Sequence, residues 1–221
     1  MQPGGYRKAS DLPQVIAVFP LDGALLLPGA QLPLNIFEPR YLNMIDDAMA
    51  GDRMIGMVQT RPAGDPARPG LAAVGCVGRI TSFAETQDGR YLITLTGVCR
   101  FSVGDELPSQ GPYRQVRAAY DIFAGDLEGA EAPDIEYDDH GAFLLALKHY
   151  LEHRGLDIDW DSAKSAPTSA LVNSLCMALP FEPGEKQVLL EAVTFNERCA
   201  TLTALLEIDA AGGDDEPHGL Q

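Results

Sequence analysis

The sequence predicts an α+β protein, a β-rich first part holding one helix followed by an all-helical second part. Three observations carry this. Apolar β-type runs dominate up to about residue 123, and a single helical stripe interrupts them after Pro39. Beyond Gly141 only helical periodicity remains, and strands and helices segregated along a chain indicate α+β architecture. Gly125–Asp139 is acidic, contains Gly and Pro, and has few bulky apolar residues, so it is expected to link the two parts. The expected division is a flexible arm (1–12), a β-rich domain (13–124), an acidic linker (125–140), a helical bundle (141–208) and a disordered acidic tail (209–221).

In order along the chain, Val15–Phe19 is a short β-run stopped at Pro20, which cannot donate to a ladder. Leu25–Leu27 meets a Pro28-Gly29 turn, and Gln31–Phe37 alternates Leu32, Leu34 and Ile36 against polar or turn residues, as a half-buried strand does. Pro39 suits the first helical position, Tyr41, Leu42, Ile45, Ala48 and Met49 form one stripe, and Gly51 is the expected left-handed cap. Met54–Val58 resumes as a strand, and Thr60–Gly70 is a Pro/Gly-rich surface loop. Two long β-runs, Ala73–Glu85 and Arg90–Val103, flank Thr86-Gln87-Asp88-Gly89. Asp-Gly there predicts a hairpin with both central residues at positive φ. Gly75, Gly78 and Gly97 inside these runs predict bulges or close backbone approach. Tyr113–Phe123 is expected to be the last strand.

The second part reads as four helices. Gly141–Arg154 stops at Gly155, Pro167–Leu179 ends before Pro180, and Glu185–Val193 follows a Phe-Glu-Pro-Gly turn. Thr194-Phe195-Asn196-Glu197 fits a capping box opening the last helix, which runs through Leu205-Leu206.

Composition excludes several functions. With 46% apolar residues the chain can build a sizeable core, and its net charge of -16 repels phosphate backbones and anionic lipid. Nucleic-acid and membrane binding are therefore disfavoured. No apolar run approaches the ~18–20 residues of a membrane helix, and the polar start MQPGGYRKASD lacks the apolar region of a secretory signal. The four widely spaced cysteines, Cys76, Cys99, Cys176 and Cys199, fit buried reduced thiols of a cytoplasmic protein.

No phosphate-binding loop, dinucleotide fingerprint or Gly-x-Ser-x-Gly elbow occurs, so no catalytic or cofactor residue is assigned. Ser162, Lys164 and Ser165 fit a solvated loop better than a Ser–Lys pair. His149 and His153 have the i,i+4 spacing of zinc ligands, but no Glu follows the first and no third ligand is evident, so no metal is assigned. Glu38, Arg40 and Arg100 fit either a polar patch in a groove or, the favoured alternative, an ion-paired corner holding helix to sheet. Phe19, Leu21, Leu26, Pro28, Phe37 and Tyr41 are the candidate apolar surface for extended peptide, with core packing as the commoner fate of such residues.

The succession VFPLDGALLLPGAQLPLNIFEPRYLNMIDDAM, IGMVQ, VGCVGRI and YLITLTGVCRF resembles the amino-terminal, substrate-binding domain of Lon-type ATP-dependent proteases. LVNSLCMALPFEPGEKQVLLEAVTFNERCATLTALL is similar to the C-terminal bundle of that domain, so the resemblance covers about residues 13–207. It implies a β-rich, PUA-like pseudo-barrel followed by a helical bundle. It also implies a stand-alone domain lacking the ATPase and protease parts.

The function this implies is a non-catalytic module that binds unfolded or extended polypeptide, in company with a protease or chaperone. The binding surface would lie around Phe19–Pro28 and Phe37–Tyr41, with the loop Arg61–Gly70 at its edge. The alternatives are a small-molecule-binding protein or hydrolase using a barrel-mouth pocket and, disfavoured by charge, RNA binding. The sequence leaves the oligomeric state open.

Overall fold

The apolar run ending at Pro20 forms strand β1 (Val15–Pro20), and the alternating run before Phe37 forms β2 (Gln31–Ile36). A computed structural model describes residues 5–61, 68–108, 111–127 and 139–212, without the side chains of residues 162, 164 and 165. The expected Ser–Lys loop side chains, the centre of the loop after residue 61, most of the linker and most of the tail lie outside these residues. Helix α1 (Pro39–Ala50) begins with Pro39, where a missing N–H costs nothing, and buries Tyr41, Met44 and Ile45. The other strands are β3 (Met54–Arg61), β4 (Gly70–Glu85), β5 (Tyr91–Glu106) and β6 (Arg114–Ala119).

These strands make one mixed sheet in the order β2-β5-β4-β3-β1-β6. Only β1 and β3 run parallel among the paired strands described. β6 pairs with β1 and also with the far part of β5, so the sheet curls back on itself as a pseudo-barrel. β2 pairs only with β5 among the described strands and is left at the edge.

The interior is filled by Val18, Ile55, Met57, Val77, Leu95 and Phe101, all essentially buried. Leu25, Leu26 and Leu27 join this core, each burial contributing ~1.5–3 kcal/mol. The segment carrying them crosses β5 where a side chain cannot fit. A Cβ on Gly97 would lie 2.1 Å from the Leu27 carbonyl oxygen, and Gly97 donates to the Ala30 carbonyl at 2.9 Å. Gly75 likewise meets the Met57 carbonyl at 2.7 Å, and the ladder shifts between Val77 and Gly78, as the glycine pattern predicts.

Four local expectations change. Gly51 is not left-handed (φ -114); the turn is made by Arg53 (φ 60), whose N–H donates to the Ala48 carbonyl at 2.9 Å. The 86–90 hairpin forms, but only Gly89 has positive φ, because the Gly89 N–H closes a turn on the Thr86 carbonyl and Gly89 takes the left-handed position after it. The last strand stops at Ala119, and Asp121–Leu127 turns as 3-10 helix with Phe123 and Leu127 buried. Residues 209–212, expected to be disordered tail, are helical.

The described residues divide into two compact units, Met1–Pro133 with Met177–Glu191, and Asp134–Cys176 with Ala192–Gln221. Helix α5 (Pro183–Glu191), expected with the bundle, thus belongs to the sheet's unit. Its Gln187 Nε2 donates to the Val74 carbonyl of β4 at 3.2 Å, and the buried Gln59 of β3 donates to the Pro183 carbonyl at 3.0 Å. Lys186, also buried, donates to the Gly23 carbonyl at 3.0 Å, and desolvation lowers its pKa.

In the second unit, α2 (His140–Arg154) packs on α6 (Phe195–Gly212). Phe143, Leu147, Tyr150, Leu202 and Leu206 are fully buried there. α2 ends at Gly155 in the left-handed conformation (φ 62), as expected. A short helix, α3 (Trp160–Ser165), stands in place of the solvated loop expected around residues 162–165, and it precedes α4 (Thr168–Ala178). The Arg154 guanidinium donates to Asp209 through Nε at 2.8 Å and also through Nη2, tying the two long helices near their ends.

The capping box is present in both directions. Thr194 N–H donates to Glu197 Oε2 at 3.1 Å, and Glu197 N–H donates to Thr194 Oγ1 at 3.2 Å. Thr194→Ala is therefore expected to lower stability by ~1 kcal/mol in urea unfolding, whereas Thr194→Ser leaves it nearly unchanged. An unchanged midpoint for the alanine variant would show that this box does not stabilise α6.

Candidate functional site

Two surfaces of the sheet's unit carry the candidate residues. The first is the open edge of β2. Leu32 and Leu34 are half-buried on this strand, Phe37 at its end is 62% exposed, and Leu92 on the neighbouring β5 is 46% exposed. The register sets Asn35 beside Leu92 and Ile36 beside Tyr91, which brings Phe37 and Leu92 to the same end of the sheet. An edge strand presents unpaired N–H and C=O groups to an incoming chain, and Pro33 in its middle shortens the run that can pair.

The second surface is a cleft of about 480 Å³ where the ends of β1 and β3, the start of α1 and the segments before β4 and β6 converge. Its walls include Pro20, Tyr41, Pro69, Pro112 and Tyr113, and its cations are Arg40, Arg68 and Arg114. The Tyr41 ring packs on Phe19 at 4.3 Å, and the Arg40 guanidinium lies 4.6 Å from the Tyr41 ring centre. Arg114 forks onto Glu106 at 2.9 and 2.7 Å and donates to the Pro69 carbonyl at 2.8 Å, while Arg68 pairs with the same carboxylate. The hydrogen bonds from Arg114 hold Glu106 below the usual carboxylate range, against the opposing effect of burial. Tyr113 donates to Asp47 Oδ2 at 2.7 Å; burial, then that carboxylate, push its hydroxyl up to about 12. Thr60 is fixed by Asp22, which accepts from its N–H and its Oγ1 at 2.8 Å.

These positions sort the residues expected from sequence. Phe37 and Leu21 are exposed, and Pro28 is intermediate. Phe19, Leu26 and Tyr41 are buried and belong to the core, because Phe19 and Tyr41 stack on each other and Leu26 lies under Gly78. Glu38 and Arg40 pair with one another at 2.8 Å in solvent. Arg100 does not join them. It is buried against Asp126, accepted at its N–H, Nε and Nη2 between 2.8 and 2.9 Å, with a further bond to the Leu190 carbonyl and its guanidinium 4.5 Å from the Phe123 ring centre. The expected three-residue corner is thus two separate ion pairs, and Arg100 fastens α5 and the 121–127 turn to β5.

His149 and His153 line a groove of about 520 Å³ between α2 and α6, beside Glu152, Glu207 and several alanines. Among the described residues no group of three or more His, Cys, Asp or Glu could hold a metal ion. None of their helices is long and apolar enough to cross a membrane. Sequence reasoning missed Arg68, Tyr113 and Arg114. Their signal was the juxtaposition of Pro with Arg in two separate loop segments, Arg68-Pro69 and Pro112-Tyr113-Arg114.

The fold is that of Lon N-terminal domains. It matches the Lon N-terminal domain protein from Xanthomonas campestris with a TM-score of 0.60 at 24% identity, covering 86% of this chain and 97% of that one. It matches the N-terminal domain of the Mycobacterium avium complex Lon protease with a TM-score of 0.56 at 19% identity, covering 91% and 99%. Residues 15–207 match the family model of the ATP-dependent protease La (LON) substrate-binding domain, and the chain belongs to that family. Among full proteins, it is 28% identical over 210 residues to Lon protease 2 of Myxococcus xanthus, spanning 93% of this chain and 25% of that protein. It is 32% identical over 119 residues to the Lon protease of Anaeromyxobacter dehalogenans, spanning 53% and 14%. The matched region is thus a quarter or less of these relatives' length.

Proposed function

We propose that this chain is a non-catalytic polypeptide-recognition module that takes extended or unfolded segments at the open edge of β2. The observation that carries this is a strand edge left unpaired among the described residues and flanked by the exposed Phe37 and Leu92. Main-chain hydrogen bonds to β2 supply sequence-independent affinity, and the flanking apolar side chains select segments rich in apolar residues. Pro33 limits the pairing, so the edge takes up short segments without templating long ones. Membership of a substrate-binding-domain family supports the same function, and an adaptor working beside a protease or chaperone is its natural setting. The four buried free thiols favour a reducing, cytoplasmic compartment.

Anisotropy titration with an unfolded, alkylated model polypeptide tests this. The Phe37→Ser/Leu92→Ser double variant is expected to weaken binding by about tenfold or more, since each side chain loses up to ~1.5–3 kcal/mol of burial on binding. Its melting temperature stays near that of the parent, because both side chains are exposed. No detectable binding by the parent across a range of apolar polypeptides would sink the proposal.

A further inference from the structure

The chain carries 32 acidic and 16 basic residues, yet among the described residues the lining of the 480 Å³ cleft holds Arg40, Arg68 and Arg114 and no carboxylate. The acidic groups near this site, Glu38, Glu106, Asp22 and Asp47, are each engaged by protein donors. Glu106 is shared by two guanidiniums. A guanidinium has five N–H donors, so one shared carboxylate leaves Arg68 with unused donors; its side chain is 59% exposed and that of Arg40 is 52% exposed. The repulsive net charge acts over distances that salt screens, the Debye length being about 8 Å at physiological ionic strength, whereas these guanidiniums act at contact.

The walls add shape to charge. Pro20, Pro69 and Pro112 have no N–H to satisfy, and the part-exposed Tyr113 ring supplies an apolar flank, while the buried Tyr41 beneath Arg40 contributes only its edge. Proline and aromatic walls suit extended backbone, and forked guanidiniums suit carboxylates. The volume lies within the ligand-sized range of about 300–1,000 Å³.

We propose that this cleft gives the module a sequence preference, selecting extended segments in which an acidic residue, held by Arg40 and Arg68, is flanked by proline or apolar residues. This rests on the polypeptide-binding function proposed above and concerns a different surface of the same unit. Arg114 is the positioning residue, since its fork onto Glu106 and its bond to the Pro69 carbonyl fix the wall between them.

The test compares a short fluorescent peptide of alternating Glu, Pro and Tyr with its Gln isostere, in the parent chain and in Arg40→Gln/Arg68→Gln. The acidic peptide is expected to bind the parent about tenfold tighter than the isostere, the discrimination of one charge-assisted hydrogen bond. The arginine variant is expected to erase that ratio while still binding the unfolded apolar polypeptide. Phe37→Ser/Leu92→Ser is expected to do the reverse, so failure at the β2 edge and failure at the cleft are read separately. Equal affinity for the two peptides, or a ratio that survives in the arginine variant, overturns the proposal. So does inorganic phosphate or a single-stranded RNA oligonucleotide that binds more tightly than the acidic peptide. Both arginines lie in solvent, and an unchanged circular dichroism melt shows that the fold is kept.

Discussion

Gly97→Val is expected to leave no stable folded protein. A side chain at this position meets the Leu27 carbonyl oxygen at 2.1 Å and the Pro28 Cα at 3.3 Å, and both are backbone atoms that cannot rotate away. The crossing is locked on both sides, since Gly29 donates to the Gly97 carbonyl and Gly97 donates to the Ala30 carbonyl, each at 2.9 Å. Relieving the clash means pulling the 27–30 segment off β5, which uncovers Leu25, Leu26 and Leu27. Three leucines at ~1.5–3 kcal/mol each approach the whole ~5–15 kcal/mol stability of a domain. Even Gly97→Ala is expected to cost more than ~3 kcal/mol, because the clash is made by Cβ itself. Gly89→Ala is the contrasting substitution. Gly89 has φ +78 but nothing within 4 Å, so only the left-handed penalty of ~1 kcal/mol applies. Soluble expression and urea unfolding of the three variants check the ranking, and similar losses for Gly97→Ala and Gly89→Ala would contradict it.

Breaking the buried Arg100–Asp126 pair is the second large effect. The two side chains are 3% and 11% exposed, so solvent screening is slight, and removing either partner breaks a buried, multiply hydrogen-bonded ion pair. Arg100→Ala and Asp126→Ala are each expected to cost ~3–5 kcal/mol in urea unfolding. The solvent pair Glu38–Arg40 is the internal comparison, and Arg40→Ala is expected to change stability by no more than ~1 kcal/mol. Replacing both members by apolar residues, as in Arg100→Met/Asp126→Leu, is expected to recover part of the loss. A double replacement as damaging as the single ones would mean that Arg100 acts mainly through contacts beyond the pair, its bond to the Leu190 carbonyl of α5 among them.

What could be read from sequence follows the range of the interactions. β1, β2, α1 and the Thr194–Glu197 box were legible because their signals lie within a few residues: a proline stop, an alternation, a Pro at the first helical turn, a Thr and a Glu three apart. The partner of Arg100 was not. Asp126 lies 26 residues away in an acidic stretch whose composition reads as linker, and only the fold shows it turned inward with Phe123 and Leu127 buried beside it. The Gly51 cap failed for a subtler reason, since Arg53, two residues on, takes the left-handed position and links α1 to β3. α5 has an ordinary helical sequence, and nothing local announces that Gln59 of β3 and Gln187 join it to the sheet. Of the candidate surface, exposure separated Phe37 from Phe19 and Tyr41, whose rings meet in the core. The arginine cleft collects residues from segments scattered between Pro20 and Arg114, which no single window of sequence contains.

The claim that polypeptide is recognised at the edge of β2 is tested most directly by hydrogen–deuterium exchange with and without an unfolded apolar polypeptide. Amides within Gln31–Ile36, other than Pro33, which has none, are expected to exchange more slowly in the complex, and Leu92 and its neighbours on β5 are expected to follow. Binding that leaves β2 exchange unchanged and protects another surface instead would contradict it.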